Sequence, residues 1–280
     1  MADGGGGTAA AFRTALGGEW RTVSVSDPFG RPVEARFVLL SDGRAVVEAA
    51  EAIGLARLAS DELDPLSASS RGLGELVLAA LAAGATRLVV GLGDSATVDG
   101  GAGLREVVGV LPVDAVAACD VSNPLLGLRG AARAFGPQKG ASPEQVEELD
   151  QRLAADPALQ PYAELPGAGA AGGLGAALAS MGALLVPGAE LVAEAIGLRA
   201  RLSGAALAVT GEGTVDEGSR EGKVTGLVAS LAAEAGIRCV VFGGRVEAEL
   251  PGTETVALSG DPTRAEADLE DLGEQLGRES

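Results

Sequence analysis

Short apolar segments separated by turn residues make up most of the first fifty residues of the chain. Residues 20–25, 33–40 and 45–49 alternate in polarity or run apolar, as β-strands do. An Asp-Pro-Phe-Gly-Arg-Pro segment separates the first two, and Ser-Asp-Gly-Arg separates the last two. Because such residues favour tight turns, the pattern predicts a three-stranded antiparallel meander.

Beyond this meander, strand-like and helix-like segments alternate. Strands are predicted over 88–90, 113–118, 206–210 (followed by a loop at 211–213), 238–242 and 255–258. Helices are predicted over 8–16 and 72–83, from Ser142 as the cap, over 173–185, after Gly188, over 224–235 and from Thr263. This βαβ alternation predicts an α/β protein with a parallel sheet.

A glycine-rich polar loop follows the strand predicted over 88–90. It contains Gly91, Gly93, Asp94, Ser95, Asp99, Gly100 and Gly101. Glycine lets a backbone approach a ligand closely, and loops after parallel strands are where open α/β sheets bind ligands. We therefore interpret it as a ligand-binding loop. The alternative is a turn whose glycines only permit tight packing.

Composition excludes several classes of protein. The chain has 280 residues, a formal net charge of −18 and no histidine. Phosphate backbones and anionic membranes are bound by clustered Lys and Arg, so we expect no nucleic acid and no membrane as partner. The absence of histidine excludes Ser-His-Asp and Cys-His machinery. A general base must therefore be a carboxylate, a lysine or a tyrosine.

A cytoplasmic location is the expectation. The first residues show neither the basic region nor the apolar run of a signal peptide. Residues 165–189 are uncharged and long enough to cross a bilayer, but they contain seven glycines and two prolines. Cys119 and Cys239 are far apart in sequence and suggest no disulfide framework.

Lysine is used at two positions only, Lys139 and Lys223, among 21 basic residues. Both lie in glycine-flanked segments. A compact ammonium on a flexible stem suits a phosphate site, where Arg is a poor substitute. The alternative is the chance survival of two surface lysines.

Two apparent nucleotide motifs lack the required context. Residues 167–172 read Gly-Ala-Gly-Ala-Ala-Gly but follow Leu-Pro rather than a strand, so they do not predict a dinucleotide site. Residues 218–223 are one residue short of a P-loop, and Val224 stands where a Ser or Thr should bind Mg²⁺. Neither a Rossmann dehydrogenase nor a Walker ATPase is indicated.

The remaining polar residues suit phosphoryl transfer. Carboxylates recur at Asp94, Asp99, Asp120, Glu212 and Asp216, beside two lysines and several glycine-rich loops. Carboxylates can hold Mg²⁺ or accept a hydroxyl proton, and lysine can neutralise phosphate charge. Catalysis of this reaction is mostly positioning and charge neutralisation.

Five ordered motifs resemble the bacterial glycerate kinase family, which has a non-Walker, two-domain α/β fold. They are Gly-Asp-Ser-Ala-Thr-Val-Asp-Gly-Gly-Ala-Gly from Gly93, Ala-Cys-Asp-Val-Ser-Asn-Pro-Leu from Ala118, Phe-Gly-Pro-Gln-Lys-Gly-Ala from Phe135, Gly-Ala-Gly-Ala-Ala-Gly-Gly-Leu-Gly from Gly167, and Thr-Gly-Glu-Gly-x-x-Asp from Thr210 with Gly222-Lys223. The resemblance covers nearly the whole chain and implies phosphorylation of D-glycerate with ATP and Mg²⁺, usually to 2-phosphoglycerate. The enzyme class is then a carbohydrate-acid kinase.

The resemblance also implies a site and a domain division. Residues at the family's catalytic positions are Asp99, Asp120, Lys139, Asp216 and Lys223, of which Asp120 and Asp216 are expected to hold metal. Substrate- or nucleotide-binding positions are Asp3, Gly91, Gly93, Ser95, Gly100, Gly101, Asn123, Gly211, Glu212 and Gly213. Residues 1–12 with 204–280 would form a flavodoxin-like lobe with a parallel sheet, and 13–203 an inserted mixed α/β lobe containing the antiparallel meander.

The chain departs from the family pattern in several places. Met1 matches a segment after the family's opening strand and Pro-Asp-Ser-Phe-Lys-Gly motif, so this sequence lacks both. The two alternatives are that the true start lies upstream and that the protein is a reduced member of the family. Asp94 replaces a usual Gly, Val98 a usual Asn and Gly218 a usual Gln, and a segment is deleted between Gly109 and Val113. The alternative function is therefore a degenerate member that binds a small acid or nucleotide without catalysis.

Overall fold

A computed structural model of the protein describes residues 1–220 and 224–279. Its contacts divide the chain into two units, Met1–Ile196 and Gly197–Ser280. Each unit has its own sheet and its own apolar core. The two are described separately below.

The amino-terminal segment lies in the first unit. We expected residues 1–12 to group with 204–280, but Phe12 is fully buried beside Val38 and Val46 of the first unit's sheet. The backbone is tied there as well, because the Gly93 N–H donates to the Gly4 carbonyl oxygen at 3.0 Å. The observed division therefore differs from the predicted grouping.

The strands are as follows. In chain order they are β1 (Glu19–Ser26), β2 (Pro32–Leu39), β3 (Arg44–Glu48), β4 (Arg87–Gly91), β5 (Asp114–Cys119) and β6 (Leu184–Pro187) in the first unit, and β7 (Leu207–Val215), β8 (Arg238–Val246) and β9 (Glu254–Ala257) in the second.

The helices connect these strands. They are α1 (Thr8–Leu16), α2 (Ala49–Ile53), α3 (Arg71–Ala82), α4 (Ala102–Val108), α5 (Ala131–Phe135), α6 (Pro143–Ala155), α7 (Ala170–Ser180) and α8 (Gly188–Ala195), then α9 (Leu198–Leu202), α10 (Val224–Ala235) and α11 (Ala265–Glu279). Short 3₁₀ turns include Pro137–Lys139 and Glu217–Arg220.

The first unit contains one mixed sheet in the order β1-β2-β3-β4-β5-β6. The first two pairings are antiparallel and the other three are parallel. The predicted meander is therefore confirmed. It continues directly into the parallel part of the sheet, because β3 pairs with β2 on one side and with β4 on the other.

Helices cover both faces of the parallel strands. Successive side chains of a strand point to opposite faces. Ala45 and Val47 of β3 accordingly pack in the cluster that contains Leu73 and Leu76 of α3. Val46 packs on the other face, in the cluster formed with α1 and α8. Parallel strands buried on both faces are typical of α/β proteins.

The second unit has a wholly parallel sheet in the order β7-β8-β9. Helix α10 connects β7 to β8 and buries Val228 and Leu231 against their apolar side chains. The predicted fold class is therefore confirmed: the chain is α/β in two units, one with a mixed sheet and one with a parallel sheet.

Two predicted boundaries were wrong. The helix expected over 173–185 ends at Ser180, because Gly182 is left-handed (φ 95°) and Ala183 N–H donates back to Leu178, as in glycine-capped helix ends. Strand β6 follows. The loop expected at 211–213 is part of β7, since Gly211 permits a close cross-strand approach to Phe242 that a β-carbon would obstruct at 2.4 Å.

No helix in the described ranges 1–220 and 224–279 is long and apolar enough to cross a membrane. The uncharged segment 165–189 is divided between α7, β6 and the start of α8.

Helix α7 begins with a left-handed turn that fits only glycine at one position. Gly172 has φ 70°, and a β-carbon on it would lie 2.0 Å from the Thr97 carbonyl oxygen. Gly182 is also left-handed, but a β-carbon there meets no atom within 4 Å. The two glycines therefore share a left-handed backbone but differ in the room available for a β-carbon.

We expect Gly172→Ala to lower the free energy of unfolding by about 1–3 kcal/mol more than Gly182→Ala, because both suffer left-handed strain but only the former overpacks the interior. Urea denaturation of the two variants measures the difference. Equal losses would contradict the close approach of α7 to the loop at 97–100.

Candidate active site

A pocket of about 420 Å³ opens at the carboxyl ends of β4 and β5 in the first unit. This is the edge at which open α/β sheets bind ligands. Segments from six parts of the chain meet there. The lining residues are Asp3, Gly4, Gly5, Gly6, Leu55, Leu92, Gly93, Asp94, Ser95, Cys119, Asp120, Val121, Phe135, Gln138, Lys139, Ala170 and Ala171.

The amino-terminal segment crosses these strand ends in direct backbone contact. A β-carbon on Gly93 would lie 2.4 Å from Gly5 Cα, and one on Gly188 would lie 1.8 Å from the Asp3 carbonyl oxygen. Both distances are far inside van der Waals contact, so glycine is required at both positions. The crossing brings Asp3 into the pocket.

Asp3 and Asp120 form a carboxylate pair in the pocket. Burial raises the pKa of Asp120 to about 7, and the neighbouring Asp3 carboxylate also raises it. The Ala189 N–H, which donates to Asp120 Oδ1 at 3.1 Å, acts in the opposite direction and lowers this pKa. Asp120 Oδ2 is buried and accepts no hydrogen bond from the described residues. The pair therefore suits a shared proton or a cation.

Lys139 reaches the pocket from the 3₁₀ turn Pro137–Lys139 and is only 3% exposed. Its Nζ donates to Ser95 Oγ at 3.0 Å and to the Thr97 carbonyl oxygen at 2.8 Å. Burial lowers the pKa of Lys139 to about 7, while the more distant Asp99 charge raises it. In the described part of the chain no carboxylate forms an ion pair with it, so an anionic ligand would supply its counter-charge.

Backbone strain is concentrated at this pocket. In the described ranges the non-glycine residues with positive φ are Asp94 (61°) and Ala171 (53°), and both line it. Left-handed backbone is costly for residues with a β-carbon and clusters at functional sites. This supports a ligand-binding role for the pocket.

Three carboxylates line the pocket, those of Asp3, Asp94 and Asp120, and of these Asp3 and Asp120 form a close pair. Within residues 1–220 and 224–279, no three His, Cys, Asp or Glu side chains group as a metal-ligand set. Mg²⁺ commonly uses one or two carboxylates and completes its shell with water and substrate phosphates. Asp3 and Asp120, with the unpartnered Oδ2, fit that requirement.

Asp99, expected to be catalytic, lies outside the pocket lining. Its Oδ2 accepts hydrogen bonds from the Ser70 N–H, the Ser70 hydroxyl and the Gly103 N–H, and its Oδ1 accepts one from the Gly101 N–H. These bonds occupy both oxygens and join the starts of α3 and α4. The geometry favours a structural role.

Other expected binding residues also lie outside the lining. Gly91 contacts the Gly4 carbonyl, and Gly100 N–H donates to Gly172 at 3.1 Å. Gly101 packs on Ala177 of α7, where a β-carbon would lie 2.3 Å away. Asn123 Nδ2 donates to the Arg129 carbonyl oxygen and stabilises the loop that contains both residues. The three glycines make tight packing contacts, and the binding roles expected for them and for Asn123 stay predictions.

The expected residues near the carboxyl terminus lie in the second unit. Gly211, Glu212 and Gly213 are in strand β7. Asp216 follows that strand, and its Oδ1 accepts the Ser219 N–H at 3.1 Å in the turn Glu217–Arg220. Lys223 lies outside the described residues. The roles expected for these residues stay predictions.

Sequence reasoning missed several lining residues, including Gly4–Gly6, Ala170 and Ala171. The run Gly4–Gly7 was a usable signal, because consecutive glycines permit the close crossing described above. Ala171 gave no signal, since alanine does not normally mark a left-handed position.

The fold and pocket define an α/β protein with a pocket at the carboxyl ends of parallel strands, lined by a buried lysine and a carboxylate pair. The chain matches the glycerate kinase family over residues 1–116 and 111–260. It is 40% identical over 272 residues to glycerate 2-kinase of Escherichia coli K12, covering 83% of this chain and 71% of that protein. It is 37% identical over 284 residues to glycerate kinase of Halalkalibacterium halodurans, covering 87% and 75%.

A solved structure agrees with these matches. The crystal structure of a protein from Salmonella typhimurium LT2 that carries the name glycerate kinase 2 superposes with a TM-score of 0.76 at 35% identity. The alignment covers 92% of this chain and 80% of that one. The chain therefore belongs to the glycerate kinase family.

We expect Asp99→Asn to lower the free energy of unfolding by about 1–3 kcal/mol, because an amide nitrogen replaces one of the accepting oxygens. Urea denaturation measures this, with Asp61→Asn at an exposed position as the control. A normal unfolding curve combined with a loss of turnover of about 100-fold or more would instead support a catalytic Asp99.

Lys139 generates a prediction about pH. Its pKa is about 7 in the folded protein against 10.5 as the ordinary value, so between these pH values the unfolded chain binds more protons. The free energy of unfolding of the wild type, measured relative to that of Lys139→Met, should therefore rise as the pH is raised from 7 towards 10. Urea denaturation at a series of pH values measures this, and parallel stability profiles would show that the amine is not held in a desolvated site.

Proposed function

We propose that this protein is a carbohydrate-acid kinase that transfers a phosphoryl group from ATP to D-glycerate in the presence of Mg²⁺ and forms 2-phosphoglycerate. Membership of the glycerate kinase family supports the reaction class. So do the names of the E. coli and Halalkalibacterium relatives. The observation that carries the proposal is the buried Lys139 ammonium beside the Asp3–Asp120 carboxylate pair in one small pocket.

Lys139 binds the substrate carboxylate in this proposal. A charge-assisted hydrogen bond to an ammonium is strong in a site shielded from water. The Ser95 hydroxyl and the Thr97 carbonyl hold the Nζ from the other side, so the amine is already oriented when the acid enters. The substrate hydroxyl is then held in one place, which is the main requirement of phosphoryl transfer.

Asp3 and Asp120 would hold Mg²⁺. When bound, this ion neutralises charge that develops on the transferred phosphoryl group. The protein contributes a carboxylate pair whose mutual repulsion a cation relieves, with the Ala189 N–H orienting Asp120 Oδ1. The role expected for Asp216 as a second metal-holding residue, and a nucleotide role for Gly211–Gly213 and Lys223, stay proposals from the family resemblance.

The test is ATP consumption by the purified chain with D-glycerate and Mg²⁺, with L-glycerate and no acid as controls. We expect turnover that depends on D-glycerate, and ³¹P NMR of the product should show the 2-phosphate. A protein that melts cooperatively and binds D-glycerate without turnover would be the degenerate binder. A chain that melts cooperatively but neither binds nor turns over D-glycerate would contradict both hypotheses, the active kinase and the degenerate binder.

The dependence of turnover on Mg²⁺ concentration identifies the carboxylate side chain that holds the metal. We expect Asp120→Asn to lower turnover by about 100-fold or more and to raise the half-saturating Mg²⁺ concentration, because one anionic ligand is lost. Asp216→Asn is the matched comparison, with the same change of charge in the second unit. A raised Mg²⁺ requirement in the Asp216 variant alone would move the metal to that residue.

A further inference from the structure

Asp94 is a charged residue of the pocket to which neither the family match nor the proposed mechanism assigns a role. It lies between Gly93 and Ser95, directly beside the hydroxyl that holds Lys139. Its backbone is left-handed, with φ 61°. Aspartate adopts this conformation more readily than most residues with a β-carbon, but it remains uncommon and is found at ligand sites, which directs attention to the side chain.

The Asp94 carboxylate occupies a donor of the amino-terminal glycine segment. Its Oδ2 accepts the Gly6 N–H at 3.2 Å. The position of a β-carbon on Gly5 would be 3.3 Å from this same oxygen and 3.5 Å from Asp3 Oδ1. Asp94 and Asp3 therefore face each other across a glycine that leaves no side chain between them.

The electrostatic balance of the pocket follows from these positions. The charged side chains that line it are Asp3, Asp94 and Asp120, against Lys139 as the cation. In the mechanism proposed above, Mg²⁺ offsets the Asp3–Asp120 pair and the substrate carboxylate offsets Lys139. The Asp94 charge is then left over, and it repels any anion in the pocket.

We propose that Asp94 is a selectivity residue that weakens the binding of acids in proportion to their charge. Compared with a pocket that lacks this carboxylate, Asp94 reduces the affinity for a phosphorylated product more than it reduces the affinity for D-glycerate. This inference rests on the proposed function. Repulsion grows with the charge of the ligand, and a phosphate monoester bears up to two more negative charges than the acid from which it is formed. Asp94 thereby favours product release.

Asparagine and glycine at this position separate the charge from the hydrogen bond. Asp94→Asn keeps an oxygen that can accept the Gly6 N–H, and asparagine tolerates left-handed backbone. Asp94→Gly suits the backbone best and also frees the Gly6 N–H for a ligand. Asp114→Asn is the matched control, because it makes the same change of charge at an exposed residue at the opposite end of β5.

The experiment measures the dissociation constants of D-glycerate and 2-phosphoglycerate by isothermal titration calorimetry, with Mg²⁺ present. For Asp94→Asn we expect D-glycerate to bind about 3-fold more tightly and 2-phosphoglycerate about 10-fold or more. These factors correspond to charges about 7 Å apart in a water-like dielectric, which is appropriate because Asp94 is exposed. Asp94→Gly should bind both at least as tightly as Asp94→Asn. Asp114→Asn should change neither, and added salt should reduce the Asp94 effects.

Three results would overturn the proposal. Equal changes in the dissociation constants of the two acids would show that the effect does not depend on ligand charge. Weaker binding of the acids by both Asp94 variants would show that Asp94 contacts the ligand favourably. If the wild type binds neither acid, the proposed function fails, and inorganic phosphate is then used as the probe of Asp94 itself. Phosphate affinity that is the same in wild type, Asp94→Asn and Asp94→Gly would end the inference in that case.

Discussion

The structure of the first unit depends on a backbone contact that only glycine permits. The amino-terminal segment lies across the carboxyl ends of the parallel strands, where a β-carbon on Gly91 would be 2.6 Å from the Gly4 carbonyl oxygen and one on Gly188 would be 1.8 Å from that of Asp3. This close approach places Asp3 against Asp120 and leads directly into α1, whose start is held by the buried Glu48 carboxylate through the Ala9 N–H. The pocket exists because these glycines have no side chains.

The pocket holds its charges in a poorly compensated state. Burial opposes the charged form of both Asp120 and Lys139 and moves the pKa of each to about 7, from opposite directions. A chain with a net charge of −18 has many carboxylates, yet none of the described ones is paired with Lys139. Charges held without partners are costly in a folded protein, and a bound anion and cation would relieve that cost. The proposed substrate and metal are the ligands of matching sign.

Local signals predicted the elements well and the site in part. The turns around the meander, and Ser142 as the cap before α6, act within a few residues and were readable from the chain. Asp120 and Lys139 were selected by residue type and by the family resemblance, and both line the pocket. Asp99 was selected in the same way, but its hydrogen bonds to Ser70 and Gly103 come from residues that only the fold brings together.

The sequence by itself determined the α/β class, the direction of the meander and the residue types available for chemistry, because periodicity, turn chemistry and composition are local properties. Tertiary structure decided which glycines approach a backbone and which approach a ligand. It also decided that α7 ends before a strand at 184–187 and that Asp94 and Ala171 are left-handed at the pocket wall. These features depend on distances between segments far apart in the chain, and a linear pattern contains no such distances.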